Sequence, residues 1–394
     1  MHGLPTATPA NVGLCPERTQ RIVQVLQRDV DRGRLPGASV LIARRGRVVL
    51  DAAVGRLDPA RDTAMGTDAI FRIYSMTKPI VSVAAMMLVE QGRLLLDDPV
   101  GRYIPGFLQQ QVAVPGPHGV ALVPAHRPST VQDLLRHTAG LTYEFTGNGH
   151  VNALYAQAGL VNRQQTNAEL CDRLAALPLA HQPGTAWAYS RATDVLGRVI
   201  EVITGQPLGA FLRETILQPL GMHETAFFVP PTQHHRIAEA FEQDPDGGAP
   251  MPMHDPREVP ALEMGGGGLM STAHDYARFL QCLLGGGELE GQRLLSPHTL
   301  AFMTADHLGR AIAIDNALLP PGHSFGLGFA VRTAAGEAPV PGSVGTYHWS
   351  GIGGTHFFVD PALEMFAIFM AQAPNQRIHY RSVMRGLVYG AVVG

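Results

Sequence analysis

Phe71–Pro79, which reads FRIYSMTKP, is the stretch that decides how the chain is organised, and an apolar run to Gly92 follows it. Of the 30 lysine and arginine residues, 29 are arginine, and the single lysine is Lys78. Arginine stays protonated at any working pH, whereas a buried lysine can lose its proton and act as a base. A chain that uses arginine everywhere else therefore indicates a chemical role for this one lysine.

Ser75 stands three residues before Lys78, a spacing that places two side chains on one face of a helix, about 5–6 Å apart at Cβ. Pro79 is tolerated only near a helix start, where its missing N–H is not needed. Ser75 is thus expected at the amino end of the helix, where the helix dipole favours negative charge on its oxygen. The pattern favours a serine nucleophile with a lysine base, and a chance Ser-x-x-Lys in a first turn is the alternative.

The size and charge of the chain argue against several classes of partner. At 394 residues, the chain can bury a large core, and we expect two interleaved subdomains. The formal net charge is −3 and only 16% of the residues are charged, which gives no electrostatic case for nucleic acid or an acidic membrane. No apolar run reaches the roughly 18 residues needed to span a bilayer. Neither nucleic acid nor a membrane is expected as a partner.

The start of the chain and its cysteines predict the cellular compartment. Met1–Thr6 lacks the basic and apolar regions of a secretory signal peptide. The three cysteines, Cys15, Cys171 and Cys282, lie far apart and form no C-x-x-C motif. An odd, scattered set is typical of reduced structural thiols. The expected localisation is cytoplasmic.

Residue patterns near both ends of the chain predict a single antiparallel sheet. The first part predicts a helix over Thr19–Arg32 and two strands, Ala38–Ala43 and Val48–Val54, joined by a hairpin turn at Arg45-Gly46. The last part predicts a capped helix that begins at Ser271 or Thr272 and ends at Leu284, strands over Gly326–Arg332, Gly345–Ser350, Thr355–Asp360 and Met365–Ala371, and a final helix over His379–Tyr389. Such an order implies an α/β fold of the α+β type, an antiparallel sheet flanked by helices.

The middle of the chain predicts mainly helices. Ile80–Val89 is apolar almost all round, as expected of a helix buried in the centre of the molecule. Beyond Leu94 strand signals thin out, and short helical patterns follow at Thr130–His137, Asn167–Leu177, Ala192–Thr204 and Leu208–Leu217, with an irregular surface loop at Asp244–Pro260. Residues 1–93 and 265–394 are therefore predicted to form the α/β domain. Residues 94–264 are predicted to form an inserted helical domain, with the active site in the cleft between the two.

Two later loops could complete a site around Ser75. Pro183–Ser190 is a compact loop, and Tyr189 near its end could point its hydroxyl into a cleft. A tyrosine packed beneath the helical domain is the alternative. Tyr347–Thr355 joins two strands, and its glycines allow a close approach by a ligand or by another part of the backbone. A simple bulged hairpin turn is the alternative there.

Signatures of other enzyme classes are absent from the sequence. There is no G-x-S-x-G motif, which disfavours an α/β-hydrolase, and no H-E-x-x-H motif. Gly265–Gly268 lacks the spacing of a dinucleotide-binding loop, and no phosphate-binding loop surrounds Lys78. His234-His235 is interpreted as a solvated pair. No metal and no cofactor are expected.

Three short motifs in the same order resemble the serine β-lactamase and penicillin-binding-protein superfamily, and in particular the class C β-lactamase-like (family VIII) carboxylesterases. Ser75–Lys78 matches the S-x-x-K motif, Tyr189–Arg191 lies where Y-x-N belongs, and His348–Gly351 lies where K-T-G belongs. Leu35–Ala38, Leu134–Leu141 and Gly265–Leu269 also resemble landmarks of the family in the same order. The resemblance implies a β-lactamase/transpeptidase-like fold.

The resemblance also implies a role for each motif. Ser75 would be the nucleophile, and Lys78 and Tyr189 would transfer its proton, with the choice of formal base left open because coupled groups titrate as a unit. The backbone N–H groups of Ser75 and Ile352 would form the oxyanion hole. The substrate-binding candidates are His348, Trp349, Ser350, Gly351 and Arg191.

Two departures from the family pattern bear on the substrate. Arg191 replaces the asparagine of Y-x-N, and Trp349 replaces the lysine of K-T-G. Both changes weaken the case for a β-lactamase, because neither the usual amide contact nor the usual cation for a β-lactam carboxylate can be assumed. The nucleophile is unaffected by either change.

The sequence thus predicts a serine carboxylesterase that hydrolyses small-molecule esters of short-to-medium chain length through an acyl-enzyme. The alternatives are an acyltransferase that uses the same intermediate, a weak β-lactamase, a D-amino-acid peptidase, and a catalytically silent binding or scaffold protein of the same fold. The oligomeric state is not predicted.

Overall fold

The computed structural model describes residues 3–117, 119–314 and 318–394. Met1 and His2, which belong to the segment expected to lack a signal peptide, lie outside the described residues. The α-helices are α1 (Pro16–Asp31), α2 (Thr77–Glu90), α3 (Val131–Leu135), α4 (His150–Gln157), α5 (Asn167–Ala175), α6 (Ala192–Thr204), α7 (Leu208–Leu212), α8 (Ala273–Leu284), α9 (Pro297–Met303) and α10 (Arg377–Gly390).

The strands alternate with these helices along the chain. They are β1 (Gly37–Arg44), β2 (Arg47–Asp58), β3 (Thr63–Ala64), β4 (Phe71–Arg72), β5 (Gln111–Gly116), β6 (Gly119–Pro124), β7 (Ala186–Trp187), β8 (Met270–Ser271), β9 (Glu288–Leu289), β10 (Gln292–Arg293), β11 (Ala313–Ile314), β12 (His323–Phe325), β13 (Ala330–Arg332), β14 (Tyr347–Ser350), β15 (His356–Asp360) and β16 (Met365–Ala371).

One eight-stranded sheet combines both ends of the chain. Its order is β12-β13-β14-β15-β16-β1-β2-β3, and neighbouring strands are antiparallel. The amino-terminal strand β1 lies between β2 and the carboxy-terminal strand β16, with Ser39 opposite Met370. Every residue of β1 and of β16 is buried. The predicted α/β fold with an antiparallel sheet flanked by helices is thereby confirmed.

Successive residues of a strand point to opposite faces of a sheet. Both faces of this sheet therefore carry apolar side chains, and helices cover both. On one face, α1 and α10 pack against the sheet through Ile22, Leu26, Tyr380 and Met384. On the other face, the sheet residues Leu41 and Ile368 join a larger core that includes most of α2 and α8. The predicted buried helix α2 therefore lies at the centre of the molecule.

Several expected elements have the bounds that the sequence indicated. The helix Ala192–Thr204 and the strand Met365–Ala371 are found as predicted. Thr272 caps α8, since its side chain accepts a hydrogen bond from the backbone N–H of Asp275. Asp244–Pro260 contains neither helix nor strand.

Two expected elements are wrong in detail. Gly326–Arg332, predicted as one strand, is a turn followed by the short strand β13. Gly328 has φ +95°, and a Cβ there would lie 2.3 Å from the hydroxyl of Ser82 on α2, so the turn requires glycine. The helix predicted over Leu208–Leu217 is α-helical only to Leu212 and continues as a π-helical turn, Arg213–Leu217.

A hairpin within residues 94–264 was not expected from the sequence. β5 and β6 pair antiparallel with each other in a separate two-stranded sheet, from Gln111 opposite Pro124 to Gly116 opposite Gly119. β6 is exposed along most of its length. The region predicted as a helical domain thus contains α3–α7 together with this hairpin.

Among the described residues, no single helix is long and apolar enough to cross a membrane. Within the same described residues, one pair passes such a test by length and composition, namely α6 and the helical stretch Leu208–Leu217, which are bent by 79° at their junction.

Candidate active site

Ser75 lies in a 3₁₀ turn, Tyr74–Met76, that leads directly into α2. The strand β4 just before this turn pairs with β8, and Tyr276 of α8 donates a hydrogen bond to the carbonyl oxygen of Met76 at 2.9 Å. These contacts fix the backbone on both sides of the serine. The half-buried Ser75 is therefore held at the amino end of the most deeply buried helix, where the dipole favours a developing negative charge.

The residue before the nucleophile has an unusual backbone conformation. Tyr74 has φ +45°, in the left-handed region that a side chain with a Cβ occupies at a cost of about 1–2 kcal/mol. Its ring packs against the loop after β14, because a Cβ on Gly353 would lie 2.7 Å from the ring. The surrounding structure thus holds a strained turn next to Ser75, as is common at functional sites.

Lys78 is fully buried, and its amine contacts three oxygen atoms. The Nζ lies 2.6 Å from the carbonyl oxygen of Gly266, 3.0 Å from the hydroxyl of Tyr143 and 3.3 Å from Oγ of Ser75. An ammonium would donate to all three, whereas a neutral amine has a lone pair that can accept the serine proton. The geometry suits a group that alternates between these two states.

Tyr189 lies on the other side of the serine. Its hydroxyl donates a hydrogen bond to Ser75 Oγ at 2.6 Å and accepts one from the indole N–H of Trp349 at 3.3 Å. Lys78 Nζ is 4.5 Å from the centre of the Tyr189 ring. The structure therefore brings Ser75, Lys78, Tyr189 and Trp349, which come from three distant parts of the sequence, into one cluster.

Tyr143 belongs to this cluster but was not among the residues singled out in the sequence. It accepts a hydrogen bond from Lys78, and its ring lies 5.3 Å from that of Tyr189. Burial raises the pKa of Tyr143 well above its usual value, so it stays protonated beside the lysine. The only signal for Tyr143 in the sequence was its position two residues after Leu134–Leu141, the stretch that resembles a landmark of the family.

Arg191 is buried and is paired with acidic residues. Its guanidinium lies 2.8 Å from Glu144 and 3.5 Å from Asp194, and only 2% of the side chain is exposed. Asp194 also accepts a hydrogen bond at 2.7 Å from the N–H of Gly266, whose carbonyl contacts Lys78. Arg191 thus supports the backbone that holds the lysine, and the structure does not present it to a substrate.

The strand β14 separates two of the substrate-binding candidates. Trp349 packs on Tyr189 and Phe325. His348 points to the opposite face, where it lies 5.2 Å from the ring of His323. Burial, and after it the positive charge of Arg385, lowers the pKa of His348 well below its usual value. The structure accordingly does not bring His348 to the Ser75 cluster.

The loop after β14 packs directly on the serine turn. Ser350 is the last residue of the strand, and a Cβ on the following Gly351 would lie 2.5 Å from the carbonyl oxygen of Ile73. Thr355 donates a hydrogen bond to that same carbonyl at 3.3 Å. Ile352, the candidate for the oxyanion hole, thus lies in a loop whose neighbours touch the residues just before Ser75.

The described part of the chain contains no group of three or more His, Cys, Asp or Glu side chains that could hold a metal ion. The arrangement at Ser75 needs no such group for covalent chemistry. It provides a nucleophile, two side chains that can carry its proton, and an adjoining glycine-rich loop.

Comparisons with known proteins agree on one family. A protein-family model described as Beta-lactamase matches residues 22–381. Protein Rv1367c of Mycobacterium tuberculosis is 36% identical over 352 residues, which cover 87% of each chain. Esterase EstB of Burkholderia gladioli is 33% identical over 376 residues, 89% of each chain. Among solved structures, EstCE1, described as a hydrolase with promiscuous acyltransferase activity, is 28% identical with a TM-score of 0.80, covering 96% of this chain and 99% of that one.

Proposed function

Because this chain belongs to the Beta-lactamase family, which includes serine hydrolases, we propose that it cleaves carboxylic esters through an acyl-enzyme on Ser75. The observation that carries the proposal is that one serine oxygen lies within hydrogen-bonding distance of both Lys78 Nζ and the Tyr189 hydroxyl. Esterase EstB, at 33% identity, supports an ester as the substrate.

In the first half of the reaction, Ser75 Oγ attacks the ester carbonyl carbon. The serine proton passes to the pair formed by Lys78 and Tyr189, and Tyr189 delivers a proton to the departing alkoxide, which leaves as the alcohol. The N–H groups of Ser75 and Ile352 stabilise the negative oxygen of the tetrahedral intermediate. In the second half, water takes the place of the alcohol and the same groups act in reverse.

Two features of the site favour an ester over a β-lactam. Trp349 offers an indole where the family pattern has a lysine, and its single N–H is directed at Tyr189. Arg191 is held by Glu144 and Asp194. A β-lactam carries a carboxylate beside its reactive ring, and burying it without a cation is costly. An uncharged ester avoids this cost.

The kinetic comparison uses nitrophenyl butyrate and a chromogenic cephalosporin on one preparation. We expect a kcat/KM at least 100-fold higher for the ester, and we expect Trp349→Lys to narrow the gap. Comparable values for the two substrates would defeat the assignment. If Trp349→Lys leaves the ratio of the two kcat/KM values unchanged, the esterase assignment stands, but Trp349 is not the reason for the preference for esters.

Acyl transfer is a second candidate, because the structural relative EstCE1 is described as having acyltransferase activity beside hydrolysis. The two outcomes share the acyl-enzyme and differ only in whether water or an alcohol discharges it. Product analysis in the presence of a competing alcohol distinguishes them. Acyl transfer predicts that the new ester exceeds the free acid at alcohol concentrations far below that of water.

The first experiment tests whether the protein is an enzyme of this kind at all. Nitrophenyl esters of increasing acyl length are assayed with wild type and Ser75→Ala, and a fluorophosphonate probe is applied to both. We expect turnover of the short and medium esters and one covalent adduct, both lost in Ser75→Ala. A folded wild-type protein that neither turns over nor forms an adduct would instead be a silent relative.

A further inference from the structure

Four buried polar atoms on one side of Ser75 have no hydrogen-bond partner among the described residues. They are the hydroxyl of Tyr74, Nε2 of His254, and Nε and Nη2 of Arg163. The rings of Tyr74 and His254 meet edge to face with their centres 5.1 Å apart, and the charge of Arg163 acts on both. Buried polar atoms are almost always paired in proteins, so four at one place need an explanation.

These three residues, which we name the Arg163 pocket, carry one positive charge at neutral pH. Burial raises the pKa of Tyr74 to about 12 and lowers that of His254 to about 3, so both are uncharged. Burial also lowers the pKa of Arg163, but a guanidinium remains protonated. A water molecule could satisfy the tyrosine and the histidine, but it would leave the half-buried charge of Arg163 without a paired carboxylate.

The nearby acidic residues Asp255 and Glu258 act on the charge of Arg163, but neither forms an ion pair with it in the described part of the chain. Arg72 is paired with Glu239 at 2.9 Å and donates to the carbonyl oxygen of His254 at 2.7 Å. Asp255 is paired with Arg257 at 3.0 Å. Glu258, the remaining acidic residue close by, is exposed to solvent. Nε and Nη2 lie on the same edge of the Arg163 guanidinium. Together they can donate to the two oxygens of one carboxylate, in a bidentate contact.

The pocket adjoins the place where an acyl group would lie. Tyr74 directly precedes Ser75, and its ring contacts Gly353, the neighbour of Ile352. An acyl group on Ser75 Oγ, with its carbonyl oxygen between the N–H groups of Ser75 and Ile352, would therefore lie next to the turn that carries Tyr74. The leaving alcohol departs towards Tyr189, whose hydroxyl donates a hydrogen bond to Ser75 Oγ.

The loop that carries His254 has room to move. It borders a cavity of about 340 Å³ lined by Arg72, Glu239, Met251, Met253, Gln372 and Gln376. Since the four unpaired atoms are closed to solvent, an entering chain must displace part of this loop, and the cavity provides the space.

We propose that the Arg163 pocket binds a carboxylate at the far end of the acyl group, so that the preferred substrates are half-esters of dicarboxylic acids. The inference rests on the proposed function, because it names the substrate class of that same site. Arg163 is the specificity-determining residue, with Tyr74 and His254 as additional hydrogen-bonding partners.

The kinetic test compares monoethyl glutarate with ethyl hexanoate, whose acyl chains have similar length and differ in charge. We expect wild type to prefer the glutarate half-ester by at least tenfold in kcat/KM, since a hydrogen bond to a charged group is worth about 10–100-fold. Arg163→Gln should lower kcat/KM for the half-ester at least tenfold more than it lowers kcat/KM for ethyl hexanoate. Arg173→Gln, which alters an exposed arginine on α5, is the matched control and should leave the ratio unchanged.

A binding measurement separates the failure of this inference from the failure of the proposed function. Titration calorimetry of glutarate into Ser75→Ala needs no turnover, and we expect binding that is lost in the double variant Ser75→Ala/Arg163→Gln. The backbone carbonyl of Arg163, which accepts hydrogen bonds from Ala261 and Leu262, is untouched by the change, and circular dichroism checks the fold.

Each result has one meaning. If ethyl hexanoate is hydrolysed at Ser75 but the half-ester is not preferred and Arg163→Gln leaves the ratio unchanged, the inference is wrong and the esterase proposal stands. If neither ester is hydrolysed and Ser75 forms no adduct, the proposed function is wrong, while Arg163-dependent glutarate binding would still establish the pocket. Glutarate binding that is indifferent to Arg163→Gln overturns the pocket.

Discussion

Lys78 Nζ is held by oxygen atoms from three separate parts of the chain, namely Ser75, Tyr143 and Gly266. Gly266 is in turn fixed through Asp194, which also faces the guanidinium of Arg191. Because the lysine side chain is already constrained, it loses little conformational entropy when it accepts the serine proton, and its amine is oriented for that transfer. The only lysine of the chain is thus held in a closely defined position beside Ser75.

Lys78→Arg tests whether the lysine acts by proton transfer or only by its charge. Arginine keeps the charge but does not release its proton, so we expect kcat to fall by at least about 10²–10⁴-fold, close to the level of Ser75→Ala. The measurement is kcat for a nitrophenyl ester, with circular dichroism as the check on folding. A folded variant that keeps more than about a tenth of wild-type kcat would assign the base role elsewhere.

Tyr189→Phe removes the tyrosine hydroxyl that donates a hydrogen bond to Ser75 and keeps the ring that packs on Trp349. We expect turnover to fall by about 10²–10⁴-fold while the melting temperature stays within a few degrees. Tyr155→Phe is the matched control, because Tyr155 is equally aromatic and buried but its hydroxyl has no partner among the described residues. Equal kcat values for the two variants would support the alternative of a tyrosine that merely packs in the loop.

At the scale of elements, the candidate active site lies where α2 begins and β14 ends. β14 contributes Trp349 to the cluster, and the loop beyond it lies on the residues before Ser75. Neither element forms a site alone. Their relative position depends on contacts as close as those of Gly351, which leaves no room for a side chain.

Gly351→Ala tests this close approach. A Cβ at this position would lie 2.4 Å from Oγ1 of Thr355 and 2.5 Å from the carbonyl oxygen of Ile73, so the loop must shift away from the serine turn. We expect a loss of about 10²–10³-fold in kcat, the usual effect of losing one oxyanion-hole donor. Gly386→Ala on α10 meets nothing within 4 Å and serves as the control that should retain activity. Unimpaired kcat in a folded Gly351→Ala variant would contradict the assigned oxyanion loop.

The ion pair between His274 of α8 and Asp51 of β2, 2.7 Å apart, predicts a pH dependence of stability. The hydrogen bond to Asp51 raises the pKa of His274 above its usual value. A raised folded-state pKa means that the stabilisation is complete below the unfolded pKa of about 6.5 and is lost as the pH rises through the folded value.

We therefore expect His274→Gln to lower the melting temperature more at pH 5.5 than at pH 9. Because both side chains are about one-third exposed, the effect should stay below about 1 kcal/mol and should shrink in high salt. Thermal unfolding of wild type and variant at the two pH values checks this expectation. A difference in melting temperature that is independent of pH would rule out the protonated pair as its cause.

At the scale of the whole molecule, local patterns in the sequence sufficed for the elements that follow them closely. The apolar periodicity of Ala192–Thr204 and the continuous apolar run Met365–Ala371 predicted α6 and β16 with their bounds. The motif at Ser75 and Lys78 predicted that the two residues belong together. The hairpin β5–β6 was missed because its second strand is exposed and lacks the alternation that a half-buried strand shows.

What could not be predicted depends on contacts between residues far apart in the sequence. Tyr143 contacts a lysine 65 residues away, and Arg191 is paired with Glu144 across 47 residues. No local pattern encodes either contact. The opposite placement of His348 and Trp349, by contrast, follows from the alternation of side chains along a strand, and it could have been predicted once β14 was recognised.

The central place of β1 in the sheet has a consequence for how the protein is made. A ribosome completes β1 well before its partner β16, which emerges on the order of tens of seconds later at typical elongation rates. Throughout that interval a mostly apolar strand, which is fully buried in the folded protein, has one unpaired edge, and such an edge is a template for aggregation. Until β16 emerges, we expect this edge of β1 to need cover, from a chaperone or from α1 and β2.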